Sequence, residues 1–349
     1  MNIDEFDFVL PKELIAQFPA NPRGSSKLLY FDPHQKIHDQ VFDYIINILN
    51  PGDVLVFNDT KVIPSLLKIH SINAKKNNAS LNIVHQINDS SWQVMAKPVN
   101  KLELGSIIFF DEEGSLVAKV IEKDAKTNRI VIEFLGPTED IFSKILKLGA
   151  MPLPPYIKRE NAHSNDFDSY QTVYSKRYGA FAAPTAGLHF TQNLLEKIAQ
   201  KGVNIQFLTL HVGLGTFAPI KTQNIEEHKM HTENFILNQS VCEAVNYAKQ
   251  NGNKVICVGT TTMRVLESVA VNNVVTPQIG ETDIFIKPGH KFQIADALIT
   301  NFHLPKSTLL VLVSAFIGNT NVDKVYQYAI EQKYRFFSYG DACYFSKPT

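Results

Sequence analysis

The 349-residue sequence is poor in cysteine, lacks a long apolar run and carries no excess of charge of either sign. Its three cysteines (Cys242, Cys257 and Cys343) are odd in number and irregularly spaced, which favours a reducing compartment over structural disulfides. The longest apolar run, 308–318, is too short to span a bilayer, and the N-terminus lacks the apolar segment of a signal peptide. We therefore expect a cytoplasmic protein without a membrane anchor.

The charges balance, with 34 basic and 34 acidic residues and a formal net charge of zero. This balance argues against a protein that binds polyanions non-specifically, although it leaves room for a local basic face. A hydrophobic content of 44% and a charged content of 19% are typical of a globular protein with a sizeable core. The length favours two domains rather than one.

Two patterns of predicted secondary structure divide the chain. Between 66 and 149, short strand-like segments recur about every ten residues between turn residues, which is typical of a small antiparallel barrel or sandwich. On both sides of this region apolar strands alternate with helices, which indicates a mostly parallel sheet covered by helices. The predicted fold class is α/β, with a small antiparallel β-barrel domain (66–149) inserted in a large mostly parallel α/β domain (1–65 and 150–349).

The stretch 179–191 is the most informative single segment. Residues 180–183 form a short apolar run typical of a buried strand, and small residues break it before His189. Thr191 is well placed to cap a helix that continues to Gly202. This arrangement places backbone N–H groups beside a histidine, which exchanges a proton near neutral pH. Taken alone, the segment is more often an ordinary strand-to-helix turn with a packed histidine.

Other local signals come before and after this stretch. The basic turn 23–27 is either a solvated loop or an anion contact. Ser240 and Glu243 have the spacing of a capping box at the start of a helix. The pattern over 283–286 predicts a strand, and another helix begins at Ser307.

Polar residues gather where predicted strands end. The clusters are 58–61, 209–217, 259–262 and 300–308. Ligands of α/β proteins bind at the carboxyl ends of strands, so these clusters are expected to meet at one edge of the sheet. Each cluster taken alone is more often structural than functional.

The segment 226–233 is rich in potential metal ligands. His228 and His231 are three residues apart rather than the four of a zinc-binding helix, and no cysteine lies beside them. A polar, hydrogen-bonded loop is therefore the favoured interpretation. A metal-dependent hydrolase built on His211, His228, His231 and Glu233 stays as an alternative function.

Motifs along the whole chain match one family in that family's order. The chain resembles the S-adenosylmethionine:tRNA ribosyltransferase-isomerases of queuosine biosynthesis. The matching segments are 10–17, 58–64, 151–157, 170–174, 183–191, 209–217, 228–233, 259–268, 298–309 and 334–342. Two departures lie in the middle, where Ser-Leu-Leu at 65–67 replaces the family's Ala-Arg-Leu and Pro-Val-Asn-Lys-Leu at 98–102 replaces a more basic turn. Any tRNA contact made by those basic residues is weakened or moved in this chain.

The resemblance implies a specific reaction. The ribosyl moiety of S-adenosylmethionine is transferred and isomerised onto 7-aminomethyl-7-deazaguanine at the wobble position of tRNA, which gives epoxyqueuosine-tRNA, adenine and methionine. S-adenosylmethionine is then a consumed substrate, and neither a metal nor a bound cofactor is implied. The expected partners are the tRNA anticodon stem-loop and S-adenosylmethionine, with no obligate protein partner. A tRNA-binding module without catalysis is the remaining alternative.

The chemistry needs a base and an acid. His189, His211 and His303 are the main candidates, because each lies at a predicted strand end and imidazole titrates near neutral pH. His189 comes first among them, and Asp59 and Glu233 are alternatives.

Two further sets of residues are predicted to bind the substrates. The predicted substrate-binding residues are Thr185, Gly187, Gly213, Gly215, Thr216, Phe217, Glu233, Gly259, Thr260, Thr261, Arg264 and Asn301. Among them, 259–261 is expected to hold the methionine carboxylate through backbone N–H groups and hydroxyls. The predicted tRNA-binding residues are Lys158, Arg159, Tyr170, Tyr174, Lys176, Arg177 and Arg335. Tyr170, Tyr174 and Phe217 are expected to stack on a base.

Overall fold

The computed structural model of the chain describes residues 1–124, 129–158, 165–213 and 219–348. Its strands are β1 (Lys27–Phe31), β2 (Ile37–Val41), β3 (Val54–Asn58), β4 (Thr60–Val62), β5 (Leu66–Lys68), β6 (Ser71–Ile72), β7 (Lys75–Lys76), β8 (Ser80–Gln86), β9 (Ser91–Lys97), β10 (Ile107–Phe109), β11 (Val117–Asp124), β12 (Arg129–Leu135), β13 (Arg177–Ala180), β14 (Asn204–Leu210), β15 (Glu233–Leu237), β16 (Val255–Val258), β17 (Gln278–Thr282), β18 (Ala297–Asn301) and β19 (Ala342–Ser346). The helices are α1 (Ile45–Ile48), α2 (Thr138–Leu148), α3 (Asp166–Ser169), α4 (Gln192–Gln200), α5 (Gln239–Gln250), α6 (Thr260–Val269), α7 (Thr308–Ile317) and α8 (Asn319–Glu331). Short 3-10 helices cover Ile3–Phe6, Lys12–Leu14, Phe42–Tyr44, Val99–Lys101, Thr185–His189 and Ile225–Glu227.

The larger sheet has nine strands within these residues, in the order β17-β15-β14-β3-β16-β18-β19-β1-β2. Its centre is parallel, because β14, β3, β16 and β18 pair side by side in one direction. Strand β1 is also parallel to β19, whereas the other neighbouring pairs are antiparallel. The sheet is therefore mixed, and the expectation of a mostly parallel sheet holds for its centre and for the pair of β1 and β19.

The central strands are buried on both faces. Every residue of β3, β16 and β18 is buried. Alternate residues of these strands belong to two different cores, Val56 and Cys257 to one and Phe57 and Ile256 to the other. Near-continuous apolar strands of this kind are typical of parallel pairing between covering layers.

The second sheet is antiparallel. Its order among the described strands is β5-β8-β9-β12-β11-β10-β6-β7, and no pairing among them joins β5 to β7. The sheet is thus a curled half-barrel, which agrees in part with the small antiparallel barrel or sandwich that the strand spacing predicted. The edge strand β7 consists of Lys75 and Lys76, both exposed, and so short a strand offers little backbone for closure.

The chain enters and leaves this half-barrel at adjacent points. Leu66 N donates to the carbonyl of Ala150 at 3.1 Å, and Ala150 N donates to the carbonyl of Leu66 at 2.8 Å. Helix α2 precedes the exit and buries Ile141 and Ile145 against the half-barrel core. Leu66 is the first residue of the predicted insertion, and Ala150 directly follows its last residue.

The segment around His189 differs from its prediction. Strand β13 ends at Ala180 and pairs with β4 in a separate two-stranded sheet. A 3-10 helix, Thr185–His189, follows it. His189 therefore ends a helical turn and does not follow a strand of the large sheet, because the proline and small residues before it favour a tight turn over continued extension.

Helix starts were predicted with mixed success. Thr191 Oγ1 accepts from Leu194 N at 3.1 Å, and Ser307 Oγ accepts from Leu310 N at 3.2 Å, so both predicted caps are confirmed. The predicted capping box of α5 does not form. That helix begins at Gln239, before Ser240, and Gln239 Nε2 donates to the Glu243 side chain at 2.7 Å.

The strand predicted over 283–286 is wrong. The strand in this region is β17, which ends at Thr282 and pairs with β15. Ile286 is buried in the core although it lies outside the strand. An apolar residue in a loop can be buried in the core as Ile286 is, and apolar periodicity alone does not distinguish such a loop from a strand.

The apolar run 308–318 corresponds to α7, which is ten residues long. In the described parts of the chain, no helix combines the length and the apolar character that a membrane crossing requires.

Candidate functional site

His189 is 6% exposed and lies beneath the carboxyl edge of the central strands. Its Nε2 is 3.1 Å from Asn301 Nδ2, and its Nδ1 is 2.8 Å from Ser26 Oγ. Asn301 Nδ2 also donates to the Phe337 carbonyl at 3.2 Å, which identifies that atom as the amide nitrogen. His189 therefore accepts a hydrogen bond at Nε2 and donates one from Nδ1 to Ser26.

Burial lowers the pKa of His189 to about 4, against a smaller opposing influence of Asp341. Its ring packs on Phe42, with the ring centroids 5.0 Å apart. His189 is consequently neutral near neutral pH and holds one lone pair, at Nε2, that can accept a proton. A lowered pKa makes it a weak base, which suits a proton that the substrate itself has made acidic.

A cavity of about 380 Å³ lies on the Ser26 side of His189. The described residues that line it are Phe18, Pro19, Ala20, Asn21, Arg23, Gly24, Ser26, Asn165, Asp166, Ser169, Leu188, His189, Ser338, Tyr339 and Gly340. This volume is in the range of small-molecule sites. We call it the large cavity.

Arg23 forms part of the wall of the large cavity. Its Nη1 donates to the Gln171 carbonyl at 3.0 Å and its Nη2 to the Asp168 carbonyl at 2.8 Å. Burial lowers the pKa of this guanidinium. Sequence reasoning noted Arg23 and Ser26 only as part of a basic turn, because nothing local shows that the turn folds against residues 188–189.

A second cavity, of about 50 Å³, lies at the carboxyl ends of β16 and β18. The described residues that line it are Tyr156, Ala183, Pro184, Thr185, Ala186, Val212, Gly259, Thr260, Thr261, Thr300, Asn301, Phe302, His303, Leu304, Ser307, Leu309, Phe337 and Ser338. We call it the small cavity. Ser338 lines both cavities. His189 bonds to Ser26 in the wall of the large cavity and to Asn301 in the wall of the small cavity, so His189 links the two.

The first turn of α6 opens onto the small cavity. Gly259 precedes it with φ of 93°, a conformation that favours glycine, and no described side chain caps this helix. The amide of Gly259 itself donates to the Ile299 carbonyl at 2.8 Å. The free N–H groups of Thr260 and the residues after it are thus the positive end of the helix dipole.

His303 also lines the small cavity. Its Nε2 is 2.8 Å from Thr300 Oγ1, and its backbone N donates to the Tyr326 hydroxyl at 3.1 Å. Burial lowers the pKa of His303 to about 3, so it too is neutral near neutral pH.

Thr185 and Gly187 lie in the turn that contains His189, and Thr185 lines the small cavity. Gly187 does something different. A Cβ at this position would lie 1.9 Å from the Tyr174 hydroxyl and 2.8 Å from Thr172 Cγ2. Glycine is therefore required here by the packing of Tyr174, independently of any ligand.

His211 and Asp59 lie together but apart from His189. His211 Nδ1 is 2.8 Å from Thr60 Oγ1, and Thr209 Oγ1 donates to Asp59 Oδ1 at 2.5 Å. Burial lowers the pKa of His211. Neither residue is among the described residues that line the two cavities.

Glu233 and Arg264 form a buried ion pair, each with a side chain 3% exposed. Glu233 Oε1 also accepts from Gly213 N at 3.1 Å, and Arg264 Nε donates to the Ile284 carbonyl at 3.3 Å. Arg264 therefore anchors β15 and the loop after β14 to α6. The predicted residues Gly215, Thr216 and Phe217 lie outside the described residues.

The residues predicted to bind tRNA fall into three groups. Lys158, Lys176 and Arg177 are exposed. Tyr170 and Tyr174 are 0% and 7% exposed, so their rings are not accessible for stacking on a base in this structure. The third group is Arg335, which bonds to Asp341, and Arg159, which lies outside the described residues.

Arg335 is engaged with Asp341. Its Nη2 donates to Asp341 Oδ1 at 3.0 Å, and its backbone N donates to Asp341 Oδ2 at 2.8 Å. Tyr170 packs edge-on against Tyr339 with centroids 5.9 Å apart, beside the large cavity. Arg159 lies outside the described residues.

The possible metal ligands of 226–233 are used elsewhere. His228 packs on Phe285 with ring centroids 5.5 Å apart, His231 is exposed, and Glu233 pairs with Arg264. Among the described residues, no group of three or more His, Cys, Asp or Glu is placed to hold a metal ion. The hydrolase alternative therefore has no assembled ligand set in this part of the chain.

Comparison with known proteins gives concordant results. A family described as "Queuosine biosynthesis protein" matches residues 3–345. A curated S-adenosylmethionine:tRNA ribosyltransferase-isomerase of Acetivibrio thermocellus is 47% identical over 347 residues, which is 99% of both chains. The crystal structure of an S-adenosylmethionine tRNA ribosyltransferase from Thermotoga maritima is 32% identical, with a TM-score of 0.53, and the match covers 97% of this chain and 99% of that one.

Proposed function

The chain belongs to the queuosine biosynthesis protein family, and we propose which reaction it catalyses and with which residues. It is an enzyme of the ribosyltransferase-isomerase type, as its 47% identity to such an enzyme over almost the whole length shows. We propose that it transfers and isomerises the ribosyl moiety of S-adenosylmethionine onto 7-aminomethyl-7-deazaguanine at the wobble position of tRNA. The products are epoxyqueuosine-tRNA, adenine and methionine.

The observation that carries the proposal is the position of His189. It is a neutral imidazole with its lone pair on Nε2, at the junction of a nucleoside-sized cavity and a smaller polar one. The sulfonium of S-adenosylmethionine acidifies the C5′ protons, so even a weak base can remove one. Removal of that proton starts the cleavage of the glycosidic bond, and adenine takes up a proton as it leaves. The neutral aminomethyl nitrogen then bonds to the ribosyl carbon and gives up one of its own protons. Methionine leaves as the epoxide closes.

We assign the base to His189, because neither of the other two candidate histidines is among the described residues that line the nucleoside-sized cavity. His303 lines the small cavity, whereas His211 is bonded to Thr60 away from both cavities. In the proposed complex the substrate displaces the single amide donor, Asn301, from His189 Nε2. Exposed Lys158, Lys176 and Arg177 supply positive charge for the phosphates of the anticodon stem-loop.

The test uses tRNA that carries 7-aminomethyl-7-deazaguanine, with S-adenosylmethionine radiolabelled in its adenine. We expect release of labelled adenine in equal amount to the modified tRNA, and none with tRNA that carries unmodified guanine. Because S-adenosylmethionine is the only co-substrate in the proposal, dialysis against a chelator should leave the rate unchanged. Absence of adenine release with the precursor tRNA would refute the reaction.

A further inference from the structure

We propose that the small cavity binds the amino-acid head group of S-adenosylmethionine, with its α-carboxylate on the first turn of α6 and its α-ammonium on Asn301 Oδ1. This inference rests on the proposed function and adds a subsite to it. It makes Asn301 a hydrogen-bond partner of His189 in the free protein and a binding residue for the ammonium in the complex, where Nδ2 keeps its bond to the Phe337 carbonyl.

The carboxylate end is defined by α6. This helix is ten residues long, and its first N–H groups have no intrahelical partner. Thr260 and Thr261 line the cavity and add hydroxyls to these amides, whereas Thr262 Oγ1 donates to the carbonyl of Val258 at the end of β16. Amides and the positive end of the dipole together favour a carboxylate.

The ammonium end is defined by an acceptor that lacks a donor. Asn301 is 2% exposed, and no described residue donates to its Oδ1. The amide cannot turn over without loss, because Nδ2 already bonds to His189 Nε2 and to the Phe337 carbonyl. A buried carbonyl without a donor is costly, by about 1–3 kcal/mol, so a ligand ammonium that supplies the donor gains affinity. Asn301 lines the small cavity, and Oδ1 is the polar atom of its side chain that is left for a ligand.

The size and charge of the small cavity select the head group. A volume of about 50 Å³ excludes a nucleoside, whereas the large cavity of about 380 Å³ accommodates one. No Asp, Glu, Lys or Arg occurs among the described residues that line the small cavity. A zwitterion adds no net charge to such a site, whereas a lone anion or cation would need an opposite charge. The nucleoside therefore belongs in the large cavity, with the two parts meeting near Ser338 and His189.

The test compares two ligands that share a nucleoside but differ in the head group. S-adenosylhomocysteine carries the amino-acid group and 5′-methylthioadenosine does not, and both are titrated calorimetrically. We expect wild-type protein to bind S-adenosylhomocysteine at least about tenfold more tightly. In Asn301→Leu that preference should disappear, through weaker binding of S-adenosylhomocysteine with 5′-methylthioadenosine unchanged within about twofold.

Two controls keep the result interpretable. Ser26→Ala removes the other side chain that bonds to His189 but lies at the large cavity, so it should keep the wild-type preference. The analogue of S-adenosylhomocysteine without its α-amino group requires no variant, and it should bind wild-type protein about tenfold more weakly than S-adenosylhomocysteine. That measurement tests the ammonium contact even if Asn301→Leu does not fold.

The outcomes separate the subsite from the reaction. Equal binding of the two nucleosides by wild-type protein, with turnover intact, overturns the head-group subsite and leaves the proposed function standing. Equal weakening of both ligands in Asn301→Leu overturns the ammonium contact. Failure of wild-type protein to bind either nucleoside, together with no adenine release, overturns the proposed function itself.

Discussion

His189 is buried and also bonds to residues that are distant in sequence, and its sequence position does not reveal this combination. It is buried, which lowers its pKa to about 4, and it bonds to residues from both ends of the chain, Ser26 and Asn301. The residue itself is predictable, because a histidine after a small-residue turn is a common site element. Its partners are not, since Ser26 is 163 positions away and belongs to a turn with surface composition.

We predict that His189→Asn reduces the rate of adenine release by about 100-fold or more while binding of S-adenosylhomocysteine changes little. The reason is that the proposed base is removed while polar bonding to Ser26 is partly kept. Single-turnover release of labelled adenine measures the rate, and calorimetry measures binding. A rate within about threefold of wild type would show that another group takes the proton.

The buried pair of Glu233 and Arg264 gives a second prediction. Loss of one charge leaves the other buried without its partner, which costs about 3–5 kcal/mol, so Arg264→Met should unfold at lower denaturant concentration. Glu233→Gln combined with Arg264→Met should recover much of that stability, because no unpaired charge then remains. Denaturant unfolding of the single and double variants gives the coupling energy. Additive losses in the double variant would argue against the pair as an energetic unit.

At the level of single elements, helix starts were easier to predict than strand directions. Thr191 and Ser307 cap their helices through local side-chain contacts that sequence displays directly. The antiparallel pairing of β15 and β17 is a tertiary outcome, and no local residue pattern specifies it. The same holds for β7, whose two exposed lysines leave the half-barrel open.

The turn Thr185–His189 depends on a glycine that packing requires. We predict that Gly187→Ala destabilises the protein by about 1–3 kcal/mol, because the added methyl group would lie 1.9 Å from the Tyr174 hydroxyl. Gly213→Ala is the matched control, since its added Cβ meets no atom of the described residues within 4 Å. Thermal unfolding of both variants tests the prediction, and equal melting temperatures for the two would contradict it.

For the whole molecule, the buried neutral histidines imply sensitivity to acid. In the unfolded chain a histidine has a pKa near 6.5, whereas burial lowers the pKa of His189 to about 4 and that of His303 to about 3. Between these values the unfolded state binds more protons than the folded state, so stability falls as the pH falls from about 6.5 toward 4. At about pH 5, each of these two histidines should lower the free energy of unfolding by about 2 kcal/mol relative to its value at neutral pH.

The measurement is the melting temperature across this range. We predict that wild-type protein melts at a lower temperature at about pH 5 than near neutral pH, and that His303→Gln narrows the difference because one titrating group is gone. The carboxylate of Glu267, whose pKa is lowered by hydrogen bonds against the opposing effect of burial, loses its contribution only at lower pH. A melting temperature that is flat between about pH 5 and 7 would refute the account.

The overall architecture was predictable where composition changes and only in part elsewhere. Evenly spaced short strands identified the half-barrel region, and strand–helix alternation identified the large sheet. The division of the site into two cavities was not predictable. It depends on residues 18–26, 183–189 and 337–340 meeting in space, and only tertiary packing brings them together.

Leu66 and Ala150 exchange a pair of backbone hydrogen bonds where the chain enters and leaves the half-barrel. The half-barrel is therefore an insertion whose two ends lie side by side. An insertion with adjacent ends can be gained, exchanged or lost without changing the order of the strands in the nine-stranded sheet. The departures from the family's motifs at 65–67 and 98–102 fall at its start and in its interior, so this part of the chain has room to diverge while the two cavities keep their walls.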